Sequence, residues 1–218
     1  MRTFGFSDVP DADFRAEYLG GNLYGSSFIL SEKASGQSIR INWSVPGKHQ
    51  ACNAAAAAAM ASLFGLPLET IARGIQKTVL PGMRMKISEK AGVTWINDAY
   101  NANPDSMKAS LNWLSEFADT KKLVLILGDM GEIGAEALQL HTEVLNQACL
   151  LFPHARILAT GPVMCQAVKN SPMLSKASAA FPNPEQAADA LKKILHSGDC
   201  VFLKASRAMH LERVEQEF

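Results

Sequence analysis

Ser38–Trp43, SIRINW, alternates apolar and polar residues, and Phe28-Ile29-Leu30 forms a second apolar run. The turn residues Ser35-Gly36-Gln37 between them predict a hairpin. Val45-Pro46-Gly47 breaks the second strand, and a helix is predicted from about His49 to Phe64, with alanine at every position from 54 to 59. Alanine is the best helix former, and small residues on every face let such a helix lie close to a sheet or another helix. Gly65 reads as the residue that ends it, and Pro67 as the opening of a second helix through Ile71 and Ile75.

After Leu80-Pro81-Gly82, a linker that divides 1–82 from 83–218, strands and helices alternate. Val93–Ile96 leads to a helix over Pro104–Phe117, and Leu123–Leu127 leads through GDMGEIG to a helix from about Ala135 to Ala148. Ile157–Ala159 leads to a helix near Val163–Val168, and a helix over Pro184–Leu195 leads to a strand at Cys200–Leu203. Such alternation implies an α/β fold, a Rossmann-like, mainly parallel sheet with helices on both faces. LVLIL is apolar throughout, as a central strand covered on both sides requires.

Chemistry concentrates in Gly92–Met107, GVTWINDAYNANPDSM. Behind the short strand, Asp98–Asn103 is polar, and Pro104 suits the first turn of a helix with Asn103 as its N-cap. In open α/β sheets ligands bind where strands end and helices begin. Asn and Asp are also ordinary turn residues, so composition alone leaves this run open between a turn and a site.

The 218 residues carry 21 basic and 21 acidic side chains, a balance that argues against nucleic acid or a membrane surface as the main partner. No run of about 18 apolar residues occurs, and MRTFGFSDVPDADF lacks the basic and apolar regions of a signal peptide. Cys52, Cys149, Cys165 and Cys200 are far apart and form no CxxC pair, so no metal site is expected and a reduced, cytoplasmic protein fits best.

DAYNANPDSM resembles the signature of the Mur ligases, in the branch that adds D-alanyl-D-alanine. GKHQACNAAAAAA resembles that family's GxHNxxNxxAAxA segment, which assigns Asn53 to the adenine of ATP, although Gln50 departs from the usual asparagine. PGMRMKI resembles the start of the C-terminal domain and assigns Arg84 to the ATP phosphates, where a guanidinium is a natural bidentate partner. The resemblance assigns Asp98 to the ribose hydroxyls and places Asn101 and Asn103 toward the phosphate end; Tyr100 stacks or packs. LGDMGEIG resembles a second family motif, in which Asp129 and Glu132 position the incoming amine or cap a helix. Leu203–Arg207 resembles the K-G-S-R segment with Ala205 in place of glycine, and assigns Lys204, Ser206 and Arg207 to a substrate carboxylate. His49 and His141 are read as structural.

The resemblance implies ATP-dependent amide formation in peptidoglycan precursor synthesis. The carboxylate of a UDP-N-acetylmuramoyl-tripeptide becomes an acyl phosphate, the amine of D-alanyl-D-alanine attacks it, and Mg²⁺ offsets the phosphate charge. No GxxxxGK[ST] phosphate loop occurs in the chain. Residues 1–82 therefore read as the last part of a central ATP-binding domain and 83–218 as a whole C-terminal domain. Such a chain is expected to be monomeric, to insert in no membrane and to be inactive alone, with no catalytic residue of its own. The alternatives are another Mur-like or folylpolyglutamate-type ligase, against which NANP argues, and a non-catalytic nucleotide- or peptide-binding module derived from one.

Overall fold

The structure, a computed structural model, describes residues 2–218. They form two compact units that divide between Leu80 and Pro81.

In the first unit, β1 (Phe4–Phe6), β2 (Phe14–Asn22), β3 (Gly25–Glu32) and β4 (Ser38–Trp43) form a sheet in that order. The hairpin of β3 and β4 pairs Phe28 with Ile41 and Leu30 with Ile39. Period-2 alternation turns Phe14, Ala16, Phe28, Leu30, Ile41 and Trp43 to one face. Onto that face pack α1 (Lys48–Ser62) and α2 (Leu68–Lys77). The alanine run allows this, since Ala51, Ala54, Ala55, Ala58 and Ala59 are all buried. Pro67 is the N-cap of α2, one place before the first helical residue. β1 spans only three residues around Gly5, and the alternation of Phe14–Tyr18 in β2 runs out at Gly20 and Gly21.

The second unit is a six-stranded sheet. Its strands are β5 (Lys86–Lys90), β6 (Val93–Asn97), β7 (Leu123–Gly128), β8 (Arg156–Thr160), β9 (Ser178–Phe181) and β10 (Cys200–Lys204), arranged 5-6-10-7-8-9. β5 runs antiparallel to β6, and every other neighbouring pair is parallel. The helices are α3 (Pro104–Ser115), α4 (Ala137–Leu151), α5 (Pro162–Asn170), α6 (Pro172–Ala177), α7 (Pro184–Ile194) and α8 (Glu212–Gln216). β7 is buried at all six positions. Each fully buried Leu or Ile there contributes roughly 1.5–3 kcal/mol by leaving water.

The alternation expected from the sequence is present, with two edge strands added. KISEK and SAAF lack apolar runs because an edge strand is covered on fewer sides. α4 starts at Ala137 because a 3₁₀ turn, Gly134–Glu136, precedes it. Glu132 at φ 59° and Gly134 at φ 74° bend the chain before that turn. α8 is tied back to the sheet: Glu215 accepts from the Ser88 hydroxyl at 2.6 Å and from Asn97 Nδ2 at 3.1 Å. The ring of Phe218 lies 5.1 Å from that of Trp95.

Candidate functional site

β10 lies between β6 and β7, with Leu203 level with Asn97 on one side and Lys204 level with Leu127 on the other. The loops after these three parallel strands therefore emerge side by side at the carboxyl edge, the position at which open α/β sheets bind ligands. They enclose a cleft of about 580 Å³. Tyr100–Asn103 line it from β6, Gly131–Ile133 from β7 and Ser206–Ala208 from β10.

Beneath the cleft, Lys204 donates from Nζ to Asp98 Oδ2 at 2.5 Å, and also to the Asn101 carbonyl at 3.3 Å. The Asp98 carboxylate accepts further bonds from the Ser110 hydroxyl at 2.9 Å and the Met85 amide at 3.2 Å. The Lys204 side chain is 3% exposed and that of Asp98 12%. Lys204 is thus an internal counter-ion that ties two strand ends together, and Asp98 also holds the backbone at Met85. Met85 and the nearby Met83 have φ of 51° and 59°, left-handed values that non-glycine residues seldom adopt.

Asn103 caps α3 as expected. Its Oδ1 accepts from the Ser106 amide at 2.8 Å while Ser106 Oγ accepts from the Asn103 amide at 3.1 Å, a reciprocal capping box. Asn101 Oδ1 accepts from the Ala102 amide at 2.8 Å. Arg84 sits over Tyr100, its guanidinium carbon 3.6 Å from the ring centroid. That cation–π contact holds the guanidinium beside the cleft wall that Tyr100 forms.

Asp129 does not line the cleft. Its two oxygens accept from the Val163 and Met164 amides at 3.1 and 2.8 Å, so it caps α5, where the helix dipole favours an anion. Gly161, at φ 115°, must remain glycine, because a Cβ there would stand 2.6 Å from the Asp129 carboxyl carbon. His141 is fully buried behind this loop. Its Nε2 accepts from the Met130 amide at 2.8 Å, so the proton is on Nδ1, which donates to the Ala137 carbonyl at 2.6 Å. His141 is therefore a structural pin.

Ser206 and Arg207 do face the cleft. Arg207 donates from Nη1 to Glu212 Oε1 at 2.6 Å and approaches Met83 Sδ at 3.2 Å. Ala205 stands where the resemblance expects glycine, and Gly128 on the adjacent strand accommodates it: a Cβ on Gly128 would meet the Ala205 methyl at 2.6 Å. The departure is thus compensated across the sheet.

In the first unit, Asn53 is exposed on α1 and donates from Nδ2 to Gln50 Oε1 at 3.1 Å, so the atypical residue at 50 is its partner. Two contributors escape the sequence reading. Ser110 lies on the buried face of α3 with Met107, Leu111 and Leu114, and a lone hydroxyl on an apolar stripe is the signal for a hidden partner. Glu212 carries no comparable signal. Among the described residues, no three His, Cys, Asp or Glu side chains gather into a group able to hold a metal ion. No helix among them is long and apolar enough to cross a membrane.

Residues 83–207 match the family described as Mur ligase, glutamate ligase domain. The UDP-N-acetylmuramoyl-tripeptide–D-alanyl-D-alanine ligase of Treponema pallidum is 38% identical over 201 residues, 91% of this chain and 42% of that protein. Its Bacillus subtilis counterpart is 31% identical over 78% of this chain and 38% of its own length. A crystal structure of MurF from Acinetobacter baumannii superposes with a TM-score of 0.83 at 26% identity, covering 99% of this chain and 46% of the other. The chain spans less than half the length of these relatives. With most of the second unit inside the matched segment, the chain belongs to the Mur ligase family.

Proposed function

We propose that this chain is the C-terminal portion of a MurF-type, ATP-dependent ligase of peptidoglycan precursor synthesis, one that joins D-alanyl-D-alanine to a UDP-N-acetylmuramoyl-tripeptide. In this reading residues 1–82 complete a central nucleotide-binding domain and 83–218 form the C-terminal domain. The observation that carries it is the convergence of the NANP and KASR loops on one cleft.

Arg84 and the side-chain amide of Asn101 offer donors suited to phosphate oxygens. Asp98 keeps one open lone pair on Oδ1 for a ribose hydroxyl, since each carboxylate oxygen accepts two bonds and Met85 occupies one. Asn53 is assigned to the adenine, and Asn103 acts by fixing the helix start. On the substrate side, Ser206 and Arg207 meet the dipeptide carboxylate directly, while Lys204 and Asp129 hold the loops that present them. ATP transfers its terminal phosphoryl group to the tripeptide carboxylate, releasing ADP and leaving an acyl phosphate; the dipeptide amine attacks the acyl carbon, forms the amide and expels inorganic phosphate. Magnesium is expected with the nucleotide. The described residues gather no donor set for it. Location in the cytoplasm and action as a monomer belong to the same reading.

The test has two arms. The purified chain with ATP and magnesium should release no phosphate above background. In the complete ligase, Arg84→Ala and Asp98→Ala should each raise the ATP constant about tenfold to a hundredfold, the worth of one charge-assisted hydrogen bond. Unchanged nucleotide kinetics in both variants would refute the assignment.

A further inference from the structure

We propose that Glu212 is a positioning residue for carboxylate recognition: it holds Arg207 so that the unoccupied edge of the guanidinium receives the free C-terminus of the dipeptide. This rests on the reading of Arg207 given above.

A guanidinium carries five N–H donors in a rigid fork. Arg207 uses Nη1 for Glu212 and Met83. No partner of Nη2 or Nε occurs among the described residues, and the side chain, 48% exposed, lines the cleft. The fork is therefore anchored at one nitrogen, with donors left over for a second anion. The backbone makes this possible. A 3₁₀ turn over Arg207–Met209 and a left-handed His210 at φ 49° reverse the chain, which brings Glu212 back beside Arg207.

Glu212 is poorly explained as a stabilising surface charge. Its side chain is only 16% exposed, and Oε2 is shielded from solvent without a hydrogen-bond partner. Exposed ion pairs contribute little, and an unpaired buried oxygen is unfavourable. Burial works to raise the Glu212 carboxyl, but its own backbone amide, Arg207 and, last, the His210 ring 3.7 Å from Oε1 outweigh that and keep it below the ordinary value. The carboxylate is ionised at neutral pH and available as an anchor. Ordering a long, rotamer-rich arginine before the ligand arrives removes a cost that binding would otherwise carry.

The competing account has the opposite sign. If Glu212 only neutralised Arg207, removing it would leave the guanidinium freer and more attractive to an anion, and the dipeptide would bind more tightly. The experiment is an NMR titration of the ¹⁵N-labelled chain with D-alanyl-D-alanine and, separately, with its C-terminal amide. Glu212→Ala should weaken the dipeptide about three- to tenfold, in line with one immobilised side chain. Glu212→Gln, which keeps an acceptor oxygen, should weaken it less, and neither should alter the amide. Should Glu212→Ala unfold, the sign of the Glu212→Gln effect decides. Unchanged or tighter dipeptide binding in the Glu212 variants, with Arg207→Ala and Arg207→Lys weakened, overturns the positioning role and leaves the Arg207 reading intact. No dipeptide binding by the wild type, equal binding of dipeptide and amide, or unaffected Arg207 variants overturns the Arg207 reading and the inference with it.

Discussion

Lys204 and Asp98 face each other at 2.5 Å across 106 residues of sequence, one at the end of β10 and the other just past β6. The ion pair is buried, and burial sets its energetic character. Its net worth against an apolar pair is small, because both charges lose their water, yet removing one partner strands the other. Lys204→Met should therefore cost about 3–5 kcal/mol in urea unfolding of the chain. Asp98→Asn combined with Lys204→Met should cost less than the sum of the single changes, since the two residues share one interaction. An additive double mutant would show the pair to be uncoupled.

Asp129→Ala should uncap α5. Loss of an N-cap and of the charge at the helix start is worth about 1–2 kcal/mol. Gly161→Ala should be comparably harmful, because it combines a left-handed φ with a Cβ pressed against the same carboxyl group. Urea midpoints for both variants, measured beside the wild type, check this. An unshifted midpoint for Asp129→Ala would remove its capping role.

Acid should act through Glu212. Its carboxyl is depressed in the folded state, so its contribution is present above the ordinary value of 4.5 and is lost as pH falls through the lower folded value. The wild type should thus lose stability from about pH 4.5 downward, and Glu212→Gln should lose less over the same range. Parallel slopes for the two proteins below that pH would contradict the coupling to Arg207.

Cys200 should be the slowest of the four thiols to alkylate. Burial first, and then the charges of Glu89 and Asp199, push its thiol up to about 11. Only ~0.1% would be thiolate at pH 8, against roughly 10% for a thiol of pKa 9. Cys52, Cys149 and Cys165 are also raised by burial, without shifts of that size. Peptide mapping after timed iodoacetamide treatment at pH 8 should find Cys200 modified last.

What could be read in advance followed from locality. LVLIL announces a covered strand because its environment is written into five consecutive residues, and NANPDS announces a capped helix because cap, proline and serine lie within one turn. The K-A-S-R segment was legible as charged but not as divided between two tasks. Lys204 turns inward to Asp98 and Arg207 outward to the cleft, and only the placement of β10 between β6 and β7 decides which cation goes where. Asp129 shows the same limit. Its cap lies on α5, 34 residues on, rather than on the helix that follows it, because β7 and β8 are neighbours and the sheet brings a distant helix closer than the adjacent one.

The order 5-6-10-7-8-9 also bears on how the protein is made. The strand at the heart of the sheet is the last of the ten to leave the ribosome. Until it arrives, β6 and β7 each present a hydrogen-bonding edge with nothing beside it, and unpaired edges invite pairing with other chains. Completing the sheet then requires closure over about a hundred residues, a slow event in folding terms. A newborn chain would stay vulnerable to aggregation until that strand is threaded into place, and its loss would open the sheet at its centre rather than trim its margin.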